Sequence, residues 1–111
     1  MKINEQRHGA VTVLKPEGPL LDADAEQFKS GALTALRGSM GRFVVDLSQV
    51  PFVDSRGLEV LLDVTDEMSQ QGQSLKLCAT NKTVREVLEL TDLVSLFEHY
   101  EDVNSAVRSF L

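Results

Sequence analysis

The period of apolar and polar positions changes several times along the chain, and each change marks an element. Val11-Thr12-Val13-Leu14-Lys15 is rich in β-branched residues and partly alternating, and Pro16 and then Gly18-Pro19 stop it. That pattern predicts a strand and a turn. Ile3 begins a short partner strand, with Gly9 near the hairpin. From Asp24 to Leu36 the apolar residues fall at 25, 28, 32, 33 and 36, which is one face of a helix. Asp22 or Asp24 is its expected N-cap and Gly38 its stop. Arg42-Phe43-Val44-Val45-Asp46-Leu47 is short and almost continuously apolar, as expected of a strand covered on both faces.

The second half repeats the alternation. Pro51-Phe52-Val53-Asp54-Ser55-Arg56-Gly57 leads into Leu58, Leu61, Leu62, Thr65 and Met68 at helical spacing, ending before Gly72. Ser74-Leu75-Lys76-Leu77-Cys78 alternates and predicts another strand. Thr83-Val84-Arg85-Glu86 matches a capping box, with Val84, Val87 and Leu88 as the buried face of a short helix. Leu93–Phe97 predicts part turn and part strand. Val103, Ala106, Val107 and Phe110 carry the spacing of a terminal amphipathic helix. Strands alternating with helices predict an α/β fold whose sheet is partly parallel.

Composition narrows the classes. The 111 residues are enough for one domain, and 42% hydrophobic with 25% charged residues supports a core and argues against disorder. Eleven basic against seventeen acidic residues leave a net charge of −6, which disfavours nucleic acid and anionic membrane surfaces as partners. Cys78 is alone, so no internal disulfide can form, and a reducing compartment is expected. The start, Met1-Lys2-Ile3-Asn4-Glu5, has no apolar run of a signal, and no stretch approaches a membrane span. The chain therefore reads as cytoplasmic, where the sequon Asn81-Lys82-Thr83 is a coincidence of spacing.

Few residues point to catalysis. His8 and His99 stand in no nucleophile–base or metal-ligand spacing, and both read as exposed or half-buried imidazoles. No glycine-rich phosphate loop is present. Cys78 reads as a small core residue rather than a reactive thiol. The informative segment is Asp54-Ser55-Arg56-Gly57. Its simplest reading is a helix cap, since Asp and Ser are preferred there, with Gly57 permitting a tight turn into the helix. A second reading adds function. A serine at a helix N-terminus lies among unpaired N–H groups at the positive end of the dipole, where a phosphate is favoured. Phosphorylation adds about −1.5 to −2 charges, and a docked partner would then meet a buried charge with nothing to satisfy it. Asp54 either orients the hydroxyl or caps the helix in its place. Arg56 either pairs with the phosphate or is simply solvated.

At this segment the chain resembles the STAS domain, the family of sulfate transporter and anti-sigma factor antagonist domains. The family's mark is an Asp-Ser-(small or hydroxyl)-Gly-Leu turn after a hydrophobic strand and loop. Here it reads Phe43-Val44-Val45-Asp46-Leu47 through Val53-Asp54-Ser55-Arg56-Gly57-Leu58. Gly18-Pro19-Leu20-Leu21-Asp22 upstream, and Leu75–Ala79 with Thr83–Leu93 downstream, also resemble the family, so the likeness covers nearly the whole chain in order. Two positions depart from the pattern. The residue after the serine is usually Ser, Thr or Ala and here is Arg56, and the upstream aspartate corresponds to either Asp22 or Asp24.

The resemblance implies an α/β fold, a small mixed β-sheet with packed α-helices, as one domain over residues 1–111. It implies an anti-sigma factor antagonist that binds an anti-sigma factor serine kinase of the histidine-kinase-like ATPase fold while Ser55 is unphosphorylated. Phosphorylation releases the partner, and a PP2C-type phosphatase resets the serine. Asp22, Asp24, Asp54, Arg56, Gly57 and Leu58 would surround the site. No enzymatic activity, cofactor or metal is implied. The alternative is an unphosphorylated scaffold subunit of a lipid ABC transporter or a stress-sensing assembly. A small nucleotide-binding module is a third reading, weakened by the missing phosphate loop.

Overall fold

The computed structural model describes Met1–Leu111. Its elements are β1 (Lys2–His8), β2 (Val11–Glu17), α1 (Asp22–Gly38), β3 (Phe43–Asp46), α2 (Ser55–Ser69), β4 (Lys76–Cys78), α3 (Lys82–Leu90), a 3-10 turn at Val94–Leu96, β5 (Glu98–Tyr100) and α4 (Val103–Arg108). The strands form one sheet in the order β1-β2-β3-β4-β5. β1 and β2 are an antiparallel hairpin, and every other pair is parallel. The expected α/β fold with a mixed sheet is what forms.

Alternation along the strands sorts the core into two layers, because successive side chains point to opposite faces. Leu14, Phe43, Val45 and Leu77 face α1, α2 and α3, where they pack with Phe28, Ala32, Val60, Leu61, Val64 and Leu88. Val11, Val13, Val44 and Cys78 face the other way and are covered by Ala106 of α4, with Tyr100, Val103, Val107 and Phe110 around it. All four residues of β3 are buried, as its almost continuous apolar run predicted, the fourth being Asp46, whose Oδ1 accepts from Ser48 N–H at 2.9 Å. The Cys78 thiol is pushed up to about 12 by burial, then by the Asp46 and Asp102 charges, which suits a core residue and not a nucleophile.

Several element ends differ from the expectation. β2 continues through Pro16 to Glu17, because its ladder with β3 covers only Thr12–Leu14 and so needs no N–H from the proline. Neither Asp22 nor Asp24 is the N-cap of α1. The cap position is Leu21, whose side chain accepts nothing, and both aspartates lie in the first turn. The helix runs through Gly38, and Met40 and Gly41 turn the chain with positive φ. The capping box at Thr83 and Glu86 does not form. Asn81 caps α3 instead, its side-chain oxygen accepting from Val84 N–H at 2.8 Å. The strand expected within Leu93–Phe97 lies just beyond, at Glu98–Tyr100, and Val94–Leu96 is the 3-10 turn. The buried Thr65 hydroxyl accepts from Leu75 N–H at 2.9 Å and donates to the Leu96 carbonyl at 3.3 Å, which joins α2 to that region.

Candidate functional site

The loops leaving the C-terminal ends of β2, β3 and β4 meet at one edge of the sheet, where open α/β sheets present their sites. Three backbone bonds sew the first two loops together: Gly18 N–H to the Gln49 carbonyl at 2.9 Å, Leu20 N–H to Phe52 at 3.1 Å, and Asp54 N–H to Leu20 at 3.2 Å. Leu20 and Val53 thereby form a parallel bridge beyond the main ladder. The Asn81 side-chain amide attaches the third loop by donating to the Val50 and Pro51 carbonyls at 3.1 and 3.2 Å. The asparagine of the apparent sequon is thus used twice, as helix cap and as tie.

This stitching places Ser55 at the first position of α2, exposed. Asp54 performs the capping that either residue was suited to. Its Oδ1 accepts from Gly57 N–H at 2.8 Å, and its Oδ2 accepts from Asp22 N–H at 3.2 Å. One carboxylate therefore closes α2 and also supplies the acceptor that Leu21 cannot give to α1. The Gly57 bond, with help from the Asp22 and Arg56 N–H groups and against partial desolvation, holds this carboxyl below its ordinary value. With Asp54 committed to two backbone donors, the Ser55 hydroxyl is not needed as a cap.

Gly57 has a sharper reason than a tight turn. A Cβ at this position would stand 2.4 Å from the Leu20 carbonyl oxygen and 3.0 Å from the Leu20 Cβ. The N-terminus of α2 lies so close to the β2–α1 loop that only glycine fits. Leu58, next along, is half-buried and packs against the main core, so its role is to seat the helix.

Arg56 is neither solvated nor free. Its guanidinium pairs with Glu26 of α1 and, at 2.6 Å, with Glu59 of α2, and its side chain is 27% exposed. Asp22 is exposed beside the site, whereas Asp24 turns toward the chain start, 3.5 Å from the Met1 ammonium. The structure thus brings together Asp22, Asp54, Ser55, Arg56 and Gly57 and directs Asp24 elsewhere. It adds two residues that sequence reasoning passed over. Phe52 is 47% exposed on the β3–α2 loop, and Glu26 reaches Arg56 from a different helix. Two apolar residues flanking a proline in a predicted loop were a readable signal for Phe52. Nothing in the local sequence marks Glu26.

Other chemistry is sparse. His99 is half-buried, with Nε2 2.6 Å from the Val94 carbonyl, on the far strand β5. No group of His, Cys, Asp and Glu side chains is arranged to hold a metal. No helix is long and apolar enough to cross a membrane. The surface hollows, the largest near 400 Å³, are lined by none of residues 50–58.

Residues 2–106 match the STAS domain, and the chain belongs to that family. BtrV of Bordetella bronchiseptica, named as a candidate anti-sigma factor antagonist, is 27% identical over 110 residues, spanning 99% of this chain and 95% of BtrV. A Thermotoga maritima protein of the same designation, solved by crystallography, has a TM-score of 0.87 at 25% identity, over 96% of this chain and 92% of that one. The phosphorylated form of the Bacillus cell fate determinant SpoIIAA has a TM-score of 0.75 at 18% identity, over 99% of this chain and all of that one, a likeness of fold.

Proposed function

We propose that this chain is an anti-sigma factor antagonist working in the cytoplasm as a phosphorylation-controlled binding switch. Unphosphorylated, it binds an anti-sigma factor that is also a serine kinase. The observation that carries the reading is the exposed Ser55 at the start of a helix already capped by Asp54. A hydroxyl with no capping duty is free to react without loss of the fold. Phe52, exposed three residues earlier on the β3–α2 loop, gives a partner an apolar anchor, and the absence of a hollow around Ser55 suits a protein face better than a nucleotide.

The step balances simply. Ser55 Oγ forms a bond to the γ-phosphorus of ATP held by the kinase, the bond to the bridging oxygen breaks, ADP leaves with the electron pair, and a base on the kinase takes the hydroxyl proton. The chain is the substrate and supplies no catalysis. The new dianion would sit in the docked face without a counter-charge from the partner, and the complex separates. A PP2C-type phosphatase then returns the hydroxyl by hydrolysis of the phosphoester.

The test compares two substitutions in binding to the anti-sigma kinase. Ser55→Ala keeps the affinity of the parent chain. Ser55→Asp weakens it by more than about tenfold, because the docked face of the kinase supplies no charge to offset the added carboxylate. Equal binding by both variants would overturn the switch and favour the unphosphorylated scaffold.

A further inference from the structure

Three ion pairs run between α1 and α2 in the same order along both helices: Glu26 with Arg56, Lys29 with Asp63 at 3.0 Å, and Arg37 with Glu67 at 3.6 Å. The second and third rungs place the cation on α1 and the acid on α2. The first rung is reversed. As a bridge, a lysine or arginine at 26 with an acid at 56 would serve equally well. Only the reversed arrangement sets a guanidinium on the residue adjoining Ser55. A second carboxylate, Glu59, flanks the same guanidinium, so the three groups sum to one negative charge.

We propose that Arg56 is a shared cation, held by Glu26 and Glu59 in the unmodified chain and drawn onto the phosphate when Ser55 is phosphorylated, which releases the first rung between α1 and α2. The inference rests on Ser55 being the modified residue. Ser55 and Arg56 are the first two residues of α2, and because successive helix side chains diverge, the guanidinium has to swing away from Glu26 and Glu59 to reach a phosphate on Ser55. Glu26 and Glu59 are both more than half exposed, so each holds the guanidinium weakly. A phosphoserine offers about −1.5 to −2 charges and three acceptor oxygens, which a guanidinium can grip with two parallel bonds. The competition therefore favours the phosphate. Loss of the Glu26 contact removes an exposed tie between the first turns of α1 and α2 and leaves the Asp22–Asp54 bond to join them, while Asp24 stays paired with Met1 and Ala25 and Phe28 stay buried. Phosphorylation would then act twice, by adding charge at Ser55 and by loosening the neighbouring helix of the partner-facing edge.

The test uses the full chain with phosphoserine incorporated at position 55 during synthesis, so no kinase is required. Phosphorus NMR follows the second ionisation of the phosphate, which lies near about 6 when unperturbed. In the parent sequence it falls about half a unit below that of Arg56→Gln, the size of an exposed ion pair. Glu26→Gln, which frees the guanidinium, lowers it further, and Arg56→Lys lies between. Amide hydrogen exchange over Asp22–Glu26 speeds up severalfold on phosphorylation in the parent sequence, but less than twofold in Arg56→Gln, where the rung is already absent. Identical phosphate titrations in the parent and Arg56→Gln would overturn the proposal. So would unchanged exchange in α1. Failure of a kinase to modify Ser55 would instead count against the switch itself.

Discussion

Two helices in this domain begin with an aspartate cap, and the contrast between them sets the Ser55 edge apart from the rest of the molecule. Asp102 accepts from Ser105 N–H at 2.8 Å and serves α4 alone. Asp54 makes the same bond to Gly57 and then reaches across 32 positions of sequence to Asp22. At the third position after each cap, α4 has a half-buried serine and α2 has a glycine pressed against the Leu20 carbonyl. The same local chemistry thus closes a peripheral helix in one place and joins α1 to α2 in the other. The edge is capped by Asp54 and leaves the exposed Ser55 hydroxyl without a structural duty.

The contrast can be broken first at the third position. Gly57→Ala should cost about 3 kcal/mol, because the neighbour is backbone and cannot swing aside, whereas Ser105→Ala should cost less than about 0.5 kcal/mol; chemical denaturation of both variants checks this. Next come the caps themselves. Asp54→Ala removes two acceptor bonds and Asp102→Ala one from a backbone N–H, so the fall in Tm should be roughly twice as large for the first. Asn81→Ala removes the α3 cap and the tie to Val50 and Pro51, and should lower stability by about 1–2 kcal/mol in the same assay.

Acid titration sharpens the comparison further. Gly57 N–H holds the Asp54 carboxyl below its ordinary value of 3.8, and Ser105 does the same for Asp102. A folded value below the unfolded one means that each carboxylate stabilises fully above about pH 4 and loses that contribution as the pH falls through its folded value. Asparagine does not titrate and keeps one acceptor oxygen, enough for the cap on Gly57 or Ser105 N–H, while Asp54→Asn gives up the bond to Asp22 N–H. Asp54→Asn and Asp102→Asn should each make acid unfolding less steep below about pH 4, read by circular dichroism at fixed denaturant. The smallest effect belongs to Ser55→Ala, which should leave stability within about 0.5 kcal/mol, since the exposed hydroxyl carries none of the cap.

What the sequence could disclose followed from how local each signal is. The apolar run Phe43–Leu47 and the helical spacing from Leu58 to Met68 are short-range patterns, and they located β3 and α2. The Asp54-Ser55 turn was visible because capping is a matter of neighbouring residues. The short β5 escaped because Glu98, His99 and Tyr100 carry no apolar alternation, and its place is set by pairing with Lys76–Cys78. Asp22 and Asp24 looked like caps because their type fits one, but the acceptor for α1 comes from Asp54. Thr83 and Glu86 matched the capping box, yet Asn81, two residues earlier, had the carbonyls of another loop to hold it. The two readings of Arg56 both omitted Glu26, which only the packing of α1 on α2 brings near.

The central claim is that Ser55 is the residue modified by the partner kinase. Intact-mass spectrometry of the chain, incubated with ATP and the anti-sigma kinases of its own organism, tests it most directly. The account predicts one added phosphate with one of those kinases, located at Ser55 by fragmentation and absent from Ser55→Ala. A folded chain that gains no phosphate from any of them, or gains it equally in Ser55→Ala, would contradict it.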